Sequence, residues 1–331
     1  IDKLGQILSQ KSLHLKNPLI VSGATYSKKI ADDMLLKLKC DGFIINNNKI
    51  KSVDQLKNKL NSGSYDAIIA VGGGKVLDVA KRCSYLNNIN HISVPTIISN
   101  DGLISPICVL KDEYNKHISL PGLMPMGVLI DLDIILKSPL KFLQAAAGDL
   151  LSNISSTNDW IISQINKKEI INDLAFQLSR NSATSLIHFS KIDFSYKPFI
   201  KQIIQGQINS GIAMSLSGNS RPCSGSEHLI SHAIDYLGFS KNILHGSQVA
   251  SISLFCLFLQ NKLNTDILDF ARKTKVSLDF TSFIIECDKS KIQEIYNLAI
   301  TIRPNRFTVL KTINSAEDFE NRLLDFKKII K

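Results

Sequence analysis

The first residues along the chain that could bind a ligand are three consecutive glycines after an apolar strand. The segment reads AVGGGKVLDVAK, so Gly72, Gly73 and Gly74 let a ligand approach the backbone closely. Lys75 and Val76 then begin a helix, whose free N–H groups and partial positive charge attract phosphate. The spacing is neither GxGxxG nor a Walker loop. It therefore predicts either a phosphate-binding turn or a plain strand–helix turn.

A second polar group follows the next apolar strand. The segment reads SVPTIISNDGLISP and carries the hydroxyls of Thr96, Ser99 and Ser105 together with the carboxylate of Asp101. A loop at the carboxyl end of a parallel strand lies where open α/β sheets bind ligands. Turn formation explains the same hydroxyls without any ligand. The segment is thus a candidate ligand loop, with an ordinary turn as the alternative.

Three side chains farther along the chain have metal-binding chemistry. Asp149, His228 and His245 together form a set of one carboxylate and two imidazoles, which leaves a coordination position open for substrate. His232 lies four residues after His228, hence on the same helix face, and both rings could bind a metal. Taken singly, such residues are more often hydrogen-bonded structural groups.

Up to residue 135 the chain alternates short apolar runs with amphipathic segments. Strands are predicted at Pro18–Ser22, Gly42–Ile45, Asp66–Val71 and His91–Val94, and helices at Tyr26–Leu38, after an N-cap at Ser52, and from Val76 to about Cys83. Near-continuous apolar runs are typical of parallel strands that are covered on both faces. The pattern predicts an α/β, Rossmann-like nucleotide-binding domain over residues 1–136.

After Asp133 strand signals become rare, and apolar residues recur at helical spacing. Helices are predicted at 141–164, 168–189, 199–216, 226–236, 245–260 and 290–301. His228 and His245 fall at the starts of two successive helices, and Asp149 at the start or in an early turn of the first one. The pattern predicts an all-α domain over residues 137–331, which contains the three candidate metal ligands.

Composition is that of a globular protein, with 44% hydrophobic and 21% charged residues. The six cysteines are scattered without a CxxC pair, which favours a reduced, cytoplasmic protein. No apolar run approaches a membrane span. The net charge of +10 fits a lysine-rich surface or attraction of an anionic ligand. No nucleic-acid partner is predicted, because the lysines form no stripe interleaved with aromatic residues.

Taken in order, these segments resemble a known family. GGGKVLDVAK, SVPTIISNDGLISP, AGDLLSN and SRPCSGSEHLISHAID are similar to the sn-glycerol-1-phosphate dehydrogenases, which belong with glycerol dehydrogenase, iron-containing alcohol dehydrogenase and dehydroquinate synthase. The resemblance runs from about Gly72 to Leu310 and includes the late segment IRPNRFTVL. It implies a dehydroquinate-synthase-like fold and NAD(P)-dependent reduction of glycerone phosphate to sn-glycerol 1-phosphate.

The resemblance also implies roles for single residues. Zn2+, or another divalent metal, is implied to bind Asp149, His228 and His245, while His232 and Asp101 complete the catalytic set by contacting the substrate. The implied cofactor contacts are Gly72, Gly73, Gly74, Lys75, Val76, Thr96, Ser99 and Ser105. Iron-containing relatives carry a further histidine one turn after the aspartate. Asn153 stands there in this chain, as in the zinc type. A homo-oligomer is expected.

Two departures from the family pattern bear on substrate and metal. Related sequences typically carry His in place of Asn100, and Glu in place of Ser247, two residues from a proposed ligand. The alternatives are a dehydrogenase of an unphosphorylated polyol such as glycerol, a lyase like dehydroquinate synthase, and a non-catalytic relative. Neither Val21–Thr25 nor Ile45–Lys49, at the ends of the first two strands, contains a carboxylate that would repel a 2′-phosphate. Both NAD and NADP are therefore expected.

Overall fold

The computed structural model describes residues 15–241 and 243–330. The chain divides into two compact units. One, here called the α/β unit, comprises the chain up to Ile98 and Gly102–Pro139. The other, the helical unit, comprises Ser99–Asp101 and the chain from Leu140 onward. The helical unit is therefore assembled from two separate pieces of sequence.

The α/β unit contains a five-stranded sheet of β1 (Pro18–Gly23), β2 (Gly42–Ile45), β3 (Ala67–Gly72), β4 (His91–Pro95) and β7 (Gly127–Val128). The strands lie side by side in the order β2-β1-β3-β4-β7. Every neighbouring pair is parallel, so the predicted parallel sheet is confirmed. All residues of β3 and β4 are buried, which explains why their sequences are continuous apolar runs rather than alternating ones.

The helices of this unit are α1 (Tyr26–Leu38), α2 (Ile50–Asn61), α3 (Gly74–Asn87) and the short α4 (Leu132–Leu136). The predicted bounds of α1 are confirmed, and α3 extends past both predicted ends. The predicted N-cap at Ser52 is wrong, because α2 begins earlier and has Lys49 at its N-cap. The Asn47 side-chain oxygen accepts hydrogen bonds from the backbone N–H of Lys49 (3.0 Å) and the Ser52 hydroxyl (2.9 Å). The asparagine therefore organises this helix start.

An antiparallel hairpin of β5 (Ile107–Lys111) and β6 (His117–Pro121) was not predicted. Its turn is closed by the backbone N–H of Asp112, which donates to the Lys116 carbonyl, and Asn115 adopts a left-handed conformation. Residues of β6 alternate between exposed and half-buried, and none is fully buried. Such a strand carries little of the apolar periodicity that sequence patterns detect.

The helical unit contains no strand of a sheet in its described part, which confirms the predicted all-α character. Its helices are α5 (Leu140–Lys167), α6 (Asp173–Ile187), α7 (Lys197–Ser217), α8 (Ser226–Tyr236), α9 (His245–Leu259), α10 (Thr265–Lys273), α11 (Lys289–Ile302) and α12 (Ala316–Ile330). The residues directly before α10 and α11 cap these helices. The Asn264 and Asp288 side chains accept hydrogen bonds from backbone N–H groups in the first turn of each helix. No helix in these residues has the length and apolar character to cross a lipid bilayer.

Helix α5 is the central element of this unit and packs against α6, α7 and α9. Its contact with α9 is close because both helices present glycine there. A Cβ added at Gly148 would lie 2.7 Å from the Ala250 Cβ and 2.8 Å from the Gly246 carbonyl oxygen. Asp149 follows directly and lies well inside α5, so its predicted position near the helix start is wrong. The close contact sets the carboxylate beside the first turn of α9.

Candidate active site

The helical unit brings three predicted metal ligands together from three helices. Asp149 comes from α5, His228 from α8, and His245 is the first residue of α9. One potential ligand atom from each lies within 4.8 Å of the others. The two imidazole centroids are 5.1 Å apart. This donor set suits a divalent metal of the zinc type, and its role stays a prediction.

The surroundings of Asp149 fit a bound cation. Its Oδ2 accepts a hydrogen bond from the backbone N–H of Asp101 (3.2 Å), and no lysine or arginine of the described chain forms a salt bridge with it. Burial, followed by the negative charge of Asp101, raises the pKa of Asp149 well above its usual range. A buried carboxylate is costly unless a positive charge compensates it. A divalent ion held with His228 and His245 would supply that charge.

Glu227 contacts the His228 ring and was not predicted from the sequence. The Glu227 carboxylate is fully buried and lies 2.9 Å from the His228 Nδ1. It also accepts hydrogen bonds from the Gly225 backbone N–H (2.6 Å) and the Ser155 hydroxyl (2.7 Å). With Nδ1–H donated to Glu227, Nε2 of His228 is left for a metal. Burial, with a contribution from Arg303 and Arg306, lowers the pKa of His228 to about 3, so the ring is in the neutral form that binds metals.

Replacing Glu227 by glutamine should weaken metal binding by roughly 10- to 100-fold. The amide keeps the shape of the side chain, but its neutral carbonyl oxygen is a weaker acceptor for the His228 Nδ1–H than a charged carboxylate. The affinity for Zn2+ is to be measured by competition with a chelator. Glu294→Gln, an exposed position on α11, is the matched control and should bind Zn2+ normally. An unchanged affinity in Glu227→Gln would exclude the ring-holding role.

His232 lies beside the three ligands but outside their group. Its ring centroid is 6.2 Å from that of His228 and 6.1 Å from that of His245, on which it stacks. Burial, followed by the charges of His245 and His228, lowers the pKa of His232 well below its usual range. The ring is half-buried and neutral. Its predicted contact with substrate stays a prediction, as does that of the half-buried Asp101.

The start of α9 is fixed by a very close backbone approach at Gly246. A Cβ at this residue would lie 2.2 Å from the Ala145 carbonyl oxygen and 2.7 Å from the Ser99 carbonyl oxygen. Ser247 follows in the first turn, half-buried, and its backbone N–H donates to the Leu244 carbonyl (3.0 Å). The glycine therefore determines where His245 can be placed.

The predicted phosphate turn lies in the α/β unit, where β3 ends at Gly72 and α3 begins at Gly74. A Cβ at Gly72 would lie 2.7 Å from the Val76 Cγ2, and one at Gly73 would lie 2.8 Å from the Ile97 Cδ1, whereas Gly74 faces open space. No side chain caps the start of α3, and Lys75 is exposed there. The free N–H groups of this turn are available to a phosphate.

The hydroxyls predicted to line the cofactor are distributed over both units. Thr96 is buried, and its backbone N–H donates to the Gly72 carbonyl (3.1 Å). The Ser105 hydroxyl is buried and donates to the Ile107 carbonyl (3.2 Å), while Ser99 is half-buried and belongs to the helical unit. Their contacts with a cofactor stay predictions.

Known proteins resemble this chain in fold and in sequence. A family model described as iron-containing alcohol dehydrogenase matches residues 1–139. The glycerol dehydrogenase structure from Schizosaccharomyces pombe superimposes with a TM-score of 0.80 at 16% identity, covering 99% of this chain and 87% of that one. This match establishes the fold.

Curated relatives are closer in sequence. The glycerol-1-phosphate dehydrogenase (NAD(P)+) of Archaeoglobus fulgidus is 34% identical over 312 residues, covering 92% of this chain and 86% of the relative. The protein of the same name from Pyrococcus horikoshii is 33% identical over 306 residues, with 91% and 87% covered. Matches that cover more than nine-tenths of this chain extend over both units. The chain therefore belongs to the glycerol-1-phosphate dehydrogenase family.

Proposed function

We propose that this protein reduces glycerone phosphate at C2 to sn-glycerol 1-phosphate, with NADH or NADPH as the hydride donor. The observation that carries the proposal is the convergence of Asp149, His228 and His245 beside a neutral His232, in a member of this family. A divalent metal, Zn2+ in our proposal, would polarise the substrate carbonyl when bound to those three side chains.

The α/β unit is proposed to hold the cofactor. The glycine turn Gly72–Gly74 and the start of α3 offer uncapped N–H groups to its pyrophosphate, and Lys75 adds a positive charge. Residues 1–136 are thus assigned to the cofactor and residues 137–331 to metal and substrate, with Ser99–Asp101 contributing to the latter. Both nicotinamide cofactors should be accepted, since the ends of β1 and β2 lack a carboxylate.

The helical unit is proposed to orient the substrate and to stabilise the oxygen on C2. Asp101 would accept a hydrogen bond from a substrate hydroxyl. His232, kept neutral by burial and by the neighbouring imidazoles, would donate a hydrogen bond from its ring N–H to the oxygen on C2, and the proton that this oxygen takes up would come from solvent. A positively charged ring would be unfavourable beside the metal ligands, so the neutral form suits this task.

Two further assignments are part of the proposal. A cytoplasmic, reducing environment is supported by the six cysteines, all of which are free thiols. A homo-oligomer is expected from the family resemblance.

The enzyme should prefer glycerone phosphate over dihydroxyacetone by roughly a hundredfold or more in kcat/KM, because charge-assisted bonds to a phosphate are strong. The measurement is NADH and NADPH oxidation with each carbonyl compound by the zinc-loaded protein. Equal kcat/KM values would reassign the protein to the polyol dehydrogenases. No turnover of either compound would favour a non-catalytic relative.

A further inference from the structure

The late segment IRPNRFTVL places two guanidinium groups next to the helix that carries His228 and His232. Arg303 directly follows α11, which packs against α8, and its Nη1 donates to the Ser220 hydroxyl oxygen (2.6 Å). Arg306 donates from Nη2 to the same oxygen (3.2 Å) and from Nη1 to the Ser224 carbonyl (2.6 Å). Ser220 and Ser224 belong to the segment that leads into α8. Both cations are therefore anchored directly before the metal-binding helix.

These two arginines share a neutral oxygen and have no carboxylate partner among the described residues. The neighbouring buried arginine, Arg221, differs in this respect because it forms a salt bridge with Glu169 (3.0 Å). Two guanidinium groups that converge on one hydroxyl repel each other. They are stable together only where an anion, or solvent, compensates the charge.

The acidic side chains nearby are already engaged. Asp159 accepts hydrogen bonds from the backbone N–H groups of Ser226 (2.6 Å) and Val309 (2.8 Å). Glu227 is bound to the His228 ring, the Gly225 N–H and the Ser155 hydroxyl. Neither carboxylate is therefore left to neutralise Arg303 and Arg306 by direct contact.

The positive charges act on the catalytic side chains. Burial, followed by the charges of Arg303 and Arg221, lowers the pKa of Arg306 to about 9, which still leaves the group protonated at neutral pH. Both Arg303 and Arg306 contribute to the lowered pKa values of His228 and His232. Both side chains are half-buried, so they remain accessible to a ligand. The pair thus forms a cationic site within electrostatic range of the imidazole cluster.

We propose that Arg303 and Arg306 bind the phosphate group of the substrate and so select phosphorylated over unphosphorylated carbonyl compounds. The identity of the reacting compound rests on the proposed function; the anion site itself rests on the two arginines. Guanidinium groups match phosphate oxygens with paired hydrogen bonds, and a dianion would balance both charges. Ser220 acts as a positioning residue, because its hydroxyl oxygen accepts a hydrogen bond from each guanidinium group and so keeps the two close together.

The test compares Arg306→Ala, Arg303→Ala and the control Arg272→Ala with two substrates, glycerone phosphate and dihydroxyacetone. Arg272 is exposed on α10 and pairs with Asp269. Each site variant should lose about a hundredfold or more in kcat/KM for glycerone phosphate, but less than about threefold for dihydroxyacetone. The control should match the wild type on both. Equal losses on both substrates, or no loss on either, would overturn the proposal.

A second variant covers the case in which Arg306→Ala does not fold. Arg306→Lys keeps the charge but loses the planar fork, so it should lose about tenfold on glycerone phosphate alone. Rescue of full activity by lysine would show that paired hydrogen bonds to phosphate are not made there.

Calorimetric titration with inorganic phosphate separates this proposal from the proposed function. The zinc-loaded wild type and Arg272→Ala should bind phosphate, whereas Arg306→Ala should bind it at least about tenfold more weakly. Arginine-dependent phosphate binding without any turnover of glycerone phosphate would remove the proposed function and leave the anion site. Turnover of glycerone phosphate that is insensitive to both arginines would support the proposed function and exclude the anion site.

Discussion

His245→Ala is expected to lose its bound metal and at least about a thousandfold in kcat/KM, since Lewis-acid stabilisation is worth several kcal/mol. The substitution removes one of three side chains that converge within 4.8 Å. The helical frame should survive, because His245 is a half-buried residue at the first position of α9 and not part of the apolar core. Catalytic metals on preformed helices are dispensable for folding, in contrast to structural zinc.

The measurements for this variant are metal content by elemental analysis, kcat/KM with glycerone phosphate, and helicity by circular dichroism. His188→Ala, at an exposed position after α6, is the matched control and should retain metal and activity. Full metal occupancy in His245→Ala would exclude His245 as a ligand. Loss of helicity would assign it a structural role instead.

Gly246→Ala is expected to destabilise the protein by about 3 kcal/mol, the upper end of the usual cost of overpacking. The added methyl would lie 2.2 Å from the Ala145 carbonyl oxygen and 2.7 Å from that of Ser99. Both are backbone atoms, which cannot rotate away as the end of a side chain would. Helix α9 must therefore move relative to α5, and the better helix propensity of alanine, worth about 1 kcal/mol, offsets only part of the cost.

Urea denaturation followed by circular dichroism measures this effect, and metal content shows whether the displaced helix still presents His245. Gly74→Ala is the control for stability, since it also lies at a helix start but its Cβ would meet nothing within 4 Å. The control should unfold at the wild-type midpoint or slightly above it. A wild-type midpoint for Gly246→Ala would contradict the close approach of the two helices.

Local sequence patterns predicted those helices and strands whose bounds depend on residues close to them in the sequence. The bounds of α1 and α8 came from apolar periodicity, and the parallel sheet from uninterrupted apolar runs. The prediction of Ser52 as the N-cap of α2 was wrong because the Asn47 side chain, which lies outside the helix, organises the helix start. Strand β6 was not predicted because neither of its faces is fully buried.

The convergence of Asp149, His228 and His245 could be predicted, because aspartate and histidine are common metal-binding residue types and these three occur in the order typical of the family. Glu227 could not be predicted, since residues adjacent on a helix point in different directions, and its contact with His228 depends on bonds to Gly225 and to Ser155, 72 residues away. Arg303 and Arg306 reach partners more than 80 residues earlier in the chain. Such contacts are set by packing of α11 against α8 and leave no local pattern.

The excursion of Ser99–Asp101 into the helical unit limits how modular this protein can be. That short piece supplies Asp149 with the Asp101 N–H and lies against Gly246 through the Ser99 carbonyl, yet the chain on either side of it belongs to the α/β unit. If the chain were recombined between Pro139 and Leu140, the fragment from Leu140 onward would contain all three predicted metal ligands but not Ser99–Asp101. Exchange of cofactor domains between relatives, in evolution or in engineering, therefore has to keep residues 99–101 compatible with the helices that receive them.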